Sequence, residues 1–286
     1  MAALIAEADA CVLNLECCVS SRGAPFPDPD KPFFFRAPPV AAERLAALGV
    51  DAVTLANNHA LDYGPDALLD TLEHLAAAGV ATVGAGASEV EARAPCILRC
   101  GGLDVRLVGC SDHPSAYAAA PQRPGIAFAR LDGKLPGWLR EATRPGPDAD
   151  AVLVTPHWGP NMRAEPLRRV RRAARDLVAA GATLVAGHSA HVFQGVAGRV
   201  LYDLGDFIDD YRVDAQLRND LGLLWLVELD AEGPRSIRAL PLALDFCFTR
   251  RATRDEADWI ARRLHELCAP LGTDVRVVDG LLEVVP

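Results

Sequence analysis

Apolar positions along the chain gather in short, nearly continuous runs, and four of these runs break on a polar turn. Residues 10–15 end on Glu16; 51–56 end on Asn57-Asn58-His59; 151–154 lead through Thr155-Pro156 to His157-Trp158-Gly159; and 182–186 open into Gly187-His188-Ser189-Ala190-His191. Unalternated runs of this length predict strands buried on both faces, as in an α/β protein. Between them the spacing turns helical. Residues 2–9 read as the tail of a helix, and residues 40–48 as a helix stopped by Gly49. A further helix begins at Gly64-Pro65, carries Leu68, Leu69, Leu72 and Leu75 on one stripe and closes at Gly79. Helices are also predicted over 131–142, from Pro166 to Gly181, and over 257–267.

Hairpins are expected for 96–99 with 105–109 about Gly101-Gly102, for 221–229 with 236–244 about Glu232-Gly233-Pro234, and for 275–285 about Asp279-Gly280. Gly84-Ala85-Gly86 reads as a tight turn, because the full dinucleotide fingerprint is absent. Residues 16–39 form a proline-rich loop carrying Phe33-Phe34-Phe35-Arg36, of a length that suits a lid or binding loop or an aromatic pin to the core. Residues 203–211 read as too acidic for the core, and no repeat or linker divides residues 1–286, which are expected to form one domain.

Composition narrows the functions. A chain of 286 residues with 50% hydrophobic content can bury a core without staples, and a net charge of -9 argues against general affinity for nucleic acid or anionic membrane. Lys31 and Lys134 are the only lysines, which reads as compositional bias toward arginine. The eight cysteines show no paired C-x-x-C and are expected to be buried free thiols. Two acids among the first ten residues and the lack of a basic start do not fit a signal peptide, and no apolar run approaches the roughly 20 residues of a membrane span. A cytoplasmic protein is the expectation.

The strand-end turns deliver a glutamate, an asparagine and several histidines, a nitrogen and oxygen set that suits one or two ions of Mn, Fe or Zn better than a structural zinc site. Such a set around a bridging carboxylate commonly serves phosphate ester hydrolysis. His113 and Tyr117 sit in a loop that could touch substrate, and Arg168, Arg171, Arg172 and Arg175 share one helix face, read as solvated or as a grip for an anionic polymer.

Asn14-Leu15-Glu16, the run from Leu55 to Gly64 containing Asn57-Asn58-His59-Ala60-Leu61-Asp62, His157-Trp158-Gly159, Gly187-His188 with His191-Val192, and the run from Leu201 to Phe207 together resemble the CapA family of capsule and poly-gamma-glutamate synthesis proteins. The resemblance covers roughly residues 10–210 and implies a four-layer α-β-β-α metallophosphoesterase-like sandwich of two mixed sheets, with residues 221–286 completing the second sheet. It implies that Glu16 bridges two metals, that Asn58, His157 and His188 bind one of them, and that His191 binds the other. His59 would protonate the leaving oxygen, and Asp62 would orient His59 or cap the following helix. Asn57, Asp206 and Arg218 are expected to contact an anionic small-molecule or polymer substrate, Arg218 because a guanidinium pairs two oxygens at once, with a structural salt bridge to the nearby aspartates as the equal alternative for Arg218. The function implied is that of a metal-dependent phosphoesterase-type hydrolase, or of an enzyme handling a phosphorylated intermediate in polymer synthesis. A non-catalytic polymer-binding accessory is the alternative.

Three departures from the family pattern bear on this. No strand ending in Gly-Asp precedes Ala10, so the expectation is either a later start than the relatives or a site lacking one carboxylate beside His191. His188-Ser189-Ala190-His191 stands where relatives carry His-His-Pro-His, sparing both ligand positions. Asn161 stands near a position where relatives place a glutamate.

Overall fold

The computed structural model describes residues 2–285. Strands Val12–Asn14, Ala52–Thr54 and Ala81–Val83 pair in parallel, with Ala52–Thr54 in the middle. Helices Val40–Ala47 and Gly64–Ala77 cover one face of this sheet, where Ala42, Leu68 and Leu75 meet Val53 and Leu55. The second sheet has six strands in the order Val196–Ala197, Val200–Leu201, Leu184–Ala186, Ala151–His157, Leu103–Ser111, Cys96–Cys100, parallel in its interior and antiparallel at both edges. Helices Gly137–Thr143 and Arg168–Ala180 pack on its outer face through Leu139, Val170, Ala173, Ala174 and Leu177. Between the sheets lie Ala52, Val83 and Leu107, with Val12, Ala81, Leu98 and Leu153 around them. Helix, sheet, sheet and helix therefore stack in the expected order.

The C-terminal strands do not complete the second sheet, contrary to expectation. Leu221–Leu229, Pro234–Asp245, Leu281–Val285 and Asp274–Val278 pair among themselves, with Phe248–Arg251 added to Pro234–Asp245. The nearest edge strand of the second sheet, Val196–Ala197, is two residues long and offers too few backbone groups to extend. Helix Arg254–Cys268 joins the two sheets instead, placing Ile260, Leu264 and Cys268 against Leu184, Val196, Leu201 and Ile237. The predicted helix over 131–142 shortens to Gly137–Thr143 because Pro136 holds extended backbone at its start. Among the described residues no helix is long and apolar enough to cross a membrane, and all eight cysteines are free.

Parallel pairing brings Asn14 level with Thr54, and His157 level with Ser111, so the strands deliver their polar turns at carboxyl ends, where open α/β sheets bind ligands. Two glycines let the sheets close there. A Cβ on Gly109 would lie 2.8 Å from Thr54 Oγ1 and 3.1 Å from Gly84 Cα, and one on Gly84 would lie 2.5 Å from Ala56 Cβ.

Helix Arg254–Cys268 starts on a capping box in which Thr253 N donates to Glu256 Oε2 at 2.7 Å, while Arg250 donates to both carboxylate oxygens at 2.8 and 2.9 Å. Hydrogen bonding from Arg250 holds the Glu256 carboxyl down to about 2. A depressed carboxyl pKa stabilises above the unfolded value, near 4.3, and that contribution fades as pH falls toward 2. Glu256→Ala is expected to cost about 1 kcal/mol at pH 7 in urea unfolding, with the difference from wild type shrinking between about pH 5 and 2.

Candidate metal centre

Glu16 follows the end of strand Val12–Asn14, and Asn14 Nδ2 donates to its Oε1 at 2.5 Å. His157 is the last residue of its strand and His188 follows Leu184–Ala186 by one glycine; the two turns are laced by His188 N to Pro156 O and Trp158 N to His188 O, both 3.0 Å. Their Nδ1 atoms stand 2.8 Å apart, and His157 Nδ1 is 3.5 Å from Glu16 Oε1. Ligand-type atoms of Glu16, His157 and His188 all lie within 4.8 Å of one another.

The chemistry of this set suits a cation. Glu16 Oε2, Asn58 Oδ1, His157 Nε2 and His188 Nε2 are buried without a hydrogen-bond partner, and the other such side-chain atoms among the described residues are all arginine Nε. Burial depresses the pKa of His157 far below its ordinary value, aided by the neighbouring His188, and burial takes His188 down to about 3. Both imidazoles are therefore neutral at physiological pH, the form that binds metals. Burial also raises the Glu16 carboxyl, so an added positive charge would relieve the same site on two counts.

Asn57, Asn58, His59 and Asp62 share the turn between strand Ala52–Thr54 and helix Gly64–Ala77. Asn57 does not face a substrate, contrary to expectation. Its side chain is fully buried, donating to Asn14 Oδ1 and Leu15 O at 2.9 Å and accepting from His59 N at 3.0 Å, and it brackets the turn to the Glu16 strand. Asp62 orients His59 and does not cap the helix, whose N-cap is Tyr63 without a side-chain cap. His59 Nδ1 donates to Asp62 Oδ2 at 2.7 Å, leaving Nε2 turned toward Glu16 Oε2 at 4.0 Å.

His191 lies outside the three-residue cluster. Its Nδ1 is 3.1 Å from Asp206 Oδ2; burial opposes charge on the ring, but Asp206, with Glu16 and Asp203 beyond it, prevails and raises its pKa to about 9. Asp206 is thus the partner of His191, where a substrate contact had been expected. Arg218, expected either to grip substrate or to pair with a nearby aspartate, takes the second course and is held by Asp220 through two bonds of 2.7 Å. Its fork is filled by a neighbour two residues away. Asn161 is exposed, as is most of the surface around it.

Several residues of the centre escaped the sequence reading. Asp203, in a run read as too acidic for the core, is buried and accepts from Ala190 N and Gly205 N at 2.8 and 3.0 Å, fixing the turn that carries His191. Burial pushes its carboxyl up to about 8. Phe35 covers His59 at 4.3 Å between ring centres, and Tyr211 meets both Phe35 and His191, at 5.9 and 5.2 Å. The loop over 16–39 thus covers the centre and is also pinned to it. Lys31, dismissed on composition, donates to Asn58 O at 2.7 Å and pairs with Asp62 Oδ1 at 3.0 Å. A lone lysine among three phenylalanines was the available signal. His113 lies with its ring 5.0 Å from His157 and its Nδ1 2.5 Å from Asp112 Oδ1.

Gly187 sets the approach of His188. A Cβ there would fall 2.3 Å from Tyr202 O and 2.5 Å from Trp158 Nε1, atoms that are themselves hydrogen-bonded at 2.9 Å. Gly187→Ala is expected to destabilise the fold by about 1–3 kcal/mol in thermal unfolding, because the turn must back away from that bond.

Residues 1–211 match the family described as bacterial capsule synthesis protein PGA_cap. The chain is 32% identical over 303 residues to a probable polyglutamine synthesis accessory protein of Mycobacterium tuberculosis strain H37Rv, covering 97% of this chain and 77% of the relative. It is 34% identical over 161 residues to the PGA biosynthesis protein CapA of Bacillus subtilis, covering 54% of this chain and 41% of that one. With the capsule biosynthesis protein CapA of Bacillus anthracis it shares 30% identity over 186 residues, covering 63% and 45%. A match spanning the four strand-end turns, together with these relatives, shows that the chain belongs to the PGA_cap family of bacterial capsule synthesis proteins.

Proposed function

We propose that the protein is a metal-dependent hydrolase of the phosphoesterase type, acting on a phosphate ester or on a phosphorylated intermediate in the synthesis of a glutamate polymer. The observation that carries the reading is the convergence of Glu16, His157 and His188, with their unpartnered buried atoms, beside a histidine oriented by a carboxylate. Glu16, His157 and His188 would hold one divalent ion, with Asn58 Oδ1, buried and without a partner, as a further candidate ligand. When bound, such an ion supplies Lewis-acid polarisation of a phosphoryl oxygen. His59 holds its Nδ1 proton on Asp62, so Nε2 is the ring atom that would exchange a proton with a leaving oxygen at the centre. Phe35 packs on that ring, and Tyr211 packs on Phe35. Relatives named for polyglutamine synthesis, PGA biosynthesis and capsule biosynthesis support a role in polymer synthesis.

A second reading, a binding accessory that retains the fold, draws on the word accessory in the name of the mycobacterial relative. The helix face that would serve it is partly spent. Arg171 donates to Pro166 O and Glu165, Arg172 leans on Leu131 O, and only Arg168 and Arg175 stay exposed.

With Mn supplied, the purified chain is expected to hydrolyse an aryl phosphate monoester or diester. His188→Ala should abolish ion binding in calorimetry, whereas His59→Ala should keep the ion and lose about 10²–10⁴ in kcat. No turnover with Mn, Fe or Zn, alongside polyglutamate binding that disappears in an Arg168→Ala/Arg175→Ala double variant, would replace the hydrolase reading with the accessory one.

A further inference from the structure

Lys31 is the one cation driven into the wall of this centre from the long loop. Its side chain is 11% exposed, and the Asp62 carboxylate it meets is 0% exposed. The ammonium lies over the rings of Phe34 and Tyr117, with centroids at 5.8 and 5.7 Å, and Tyr117 OH donates to the same Asp62 Oδ1 at 3.2 Å. Two residues of the centre are fixed by this one group. Through Asn58 O at 2.7 Å it holds the backbone of the residue whose Oδ1 is buried without a partner, and through Asp62 Oδ1 at 3.0 Å it leaves Oδ2 to receive the His59 proton. Phe35 N adds a bond to Oδ2 at 2.6 Å, so the same loop segment that carries the lysine also brings the ring that covers His59.

We infer that Lys31 is a positioning residue of the centre: its ammonium locks Asn58 and the Asp62–His59 pair into the arrangement that serves ion and proton transfer, and makes the loop over residues 16–39 part of the machinery. Neutral substitutions cannot reproduce it. Without the ammonium, Asp62 Oδ1 keeps only the longer bond from Tyr117 OH and Asn58 O loses its donor; a buried carboxylate stripped of its countercharge would draw in water or turn toward other donors, and either change moves His59. The inference deepens the hydrolase reading and rests on it for its kinetic arm alone.

The experiment compares the full chain with Lys31→Met, which keeps the length of the side chain, and Lys31→Ala. Lys31→Met is expected to bind Mn about tenfold more weakly in calorimetry and to lose at least tenfold in kcat on the aryl phosphate ester, with KM within twofold. Ethylammonium added to Lys31→Ala should restore part of kcat, and tetramethylammonium, which cannot donate a hydrogen bond, should not. A general loss of packing would show neither that split nor that selectivity. Amide exchange over residues 58–62 is expected to quicken tenfold or more in Lys31→Met, a readout needing neither ion nor substrate. Mn affinity, kcat and exchange all within twofold of wild type would overturn the inference, as would losses that track the melting temperature and ignore both amines. A wild-type chain that turns over no phosphate ester sinks the hydrolase reading, and the affinity and exchange arms still decide the role of Lys31.

Discussion

Buried polar atoms left without hydrogen-bond partners on the strand-end turns set the terms for the rest of this structure. Leaving one such atom unsatisfied costs about 1–3 kcal/mol, and the strand-end turns of this chain carry four, Glu16 Oε2, Asn58 Oδ1, His157 Nε2 and His188 Nε2. A fold tolerates that arrangement only when rigid elements on all sides forbid the side chains from turning away. Here the restraint comes from parallel strands whose carboxyl ends are locked by backbone bonds between the His157 and His188 turns, and by sheets that touch through Gly84 and Gly109. The same burial that makes the atoms costly keeps both imidazoles neutral and ready to bind a cation.

Around this buried cluster the charges are mostly settled in local pairs. His191 is held by Asp206, Arg218 by Asp220, and His59 and Lys31 share Asp62. The first two pairs use groups for which a sequence reading offers an ion or a substrate, His191, Asp206 and Arg218; the third adds Lys31 to the pairing of Asp62 with His59 that the resemblance implies. Pairing fixes geometry at the expense of free valence: the Arg218 fork is filled, whereas the Asp62 oxygens are divided so that one orients His59 and the other anchors the loop. Asp203 has a purely architectural part, since its two backbone donors hold the turn in which Ser189 and His191 adopt positive φ.

Two loops complete what the strands begin. The segment over 16–39 contributes Lys31 and Phe35, and the segment after Asp203 contributes Tyr211, whose ring meets His191 and Phe35. Phe33, 54% exposed, extends the aromatic surface outward against Phe35 and Tyr211. Strands thus supply the candidate ion ligands, and loops supply the cover and the alignment of His59.

The strand-end ligands were legible in the amino-acid sequence because buried strands announce themselves as apolar runs and the residues that follow them are bound to lie at a sheet edge. Glu16, Asn58, His157 and His188 fall at such ends, and the hairpin about Gly101-Gly102 and the helix after Gly64-Pro65 stand where turn chemistry puts them. Which polar groups would be left without partners was decided only in three dimensions. Asn57 and Asn58 are adjacent and chemically identical, yet one spends its amide on Asn14 and Leu15 while the other keeps a buried free oxygen. Arg218 and Lys31 changed places for a similar reason: pairing depends on distances across the fold, and Asp220 reached the arginine first while a buried Asp62 awaited the lysine. Local patterns carry the periodicity of burial, but the identity of a hydrogen-bond partner tens of residues away is information that only packing creates.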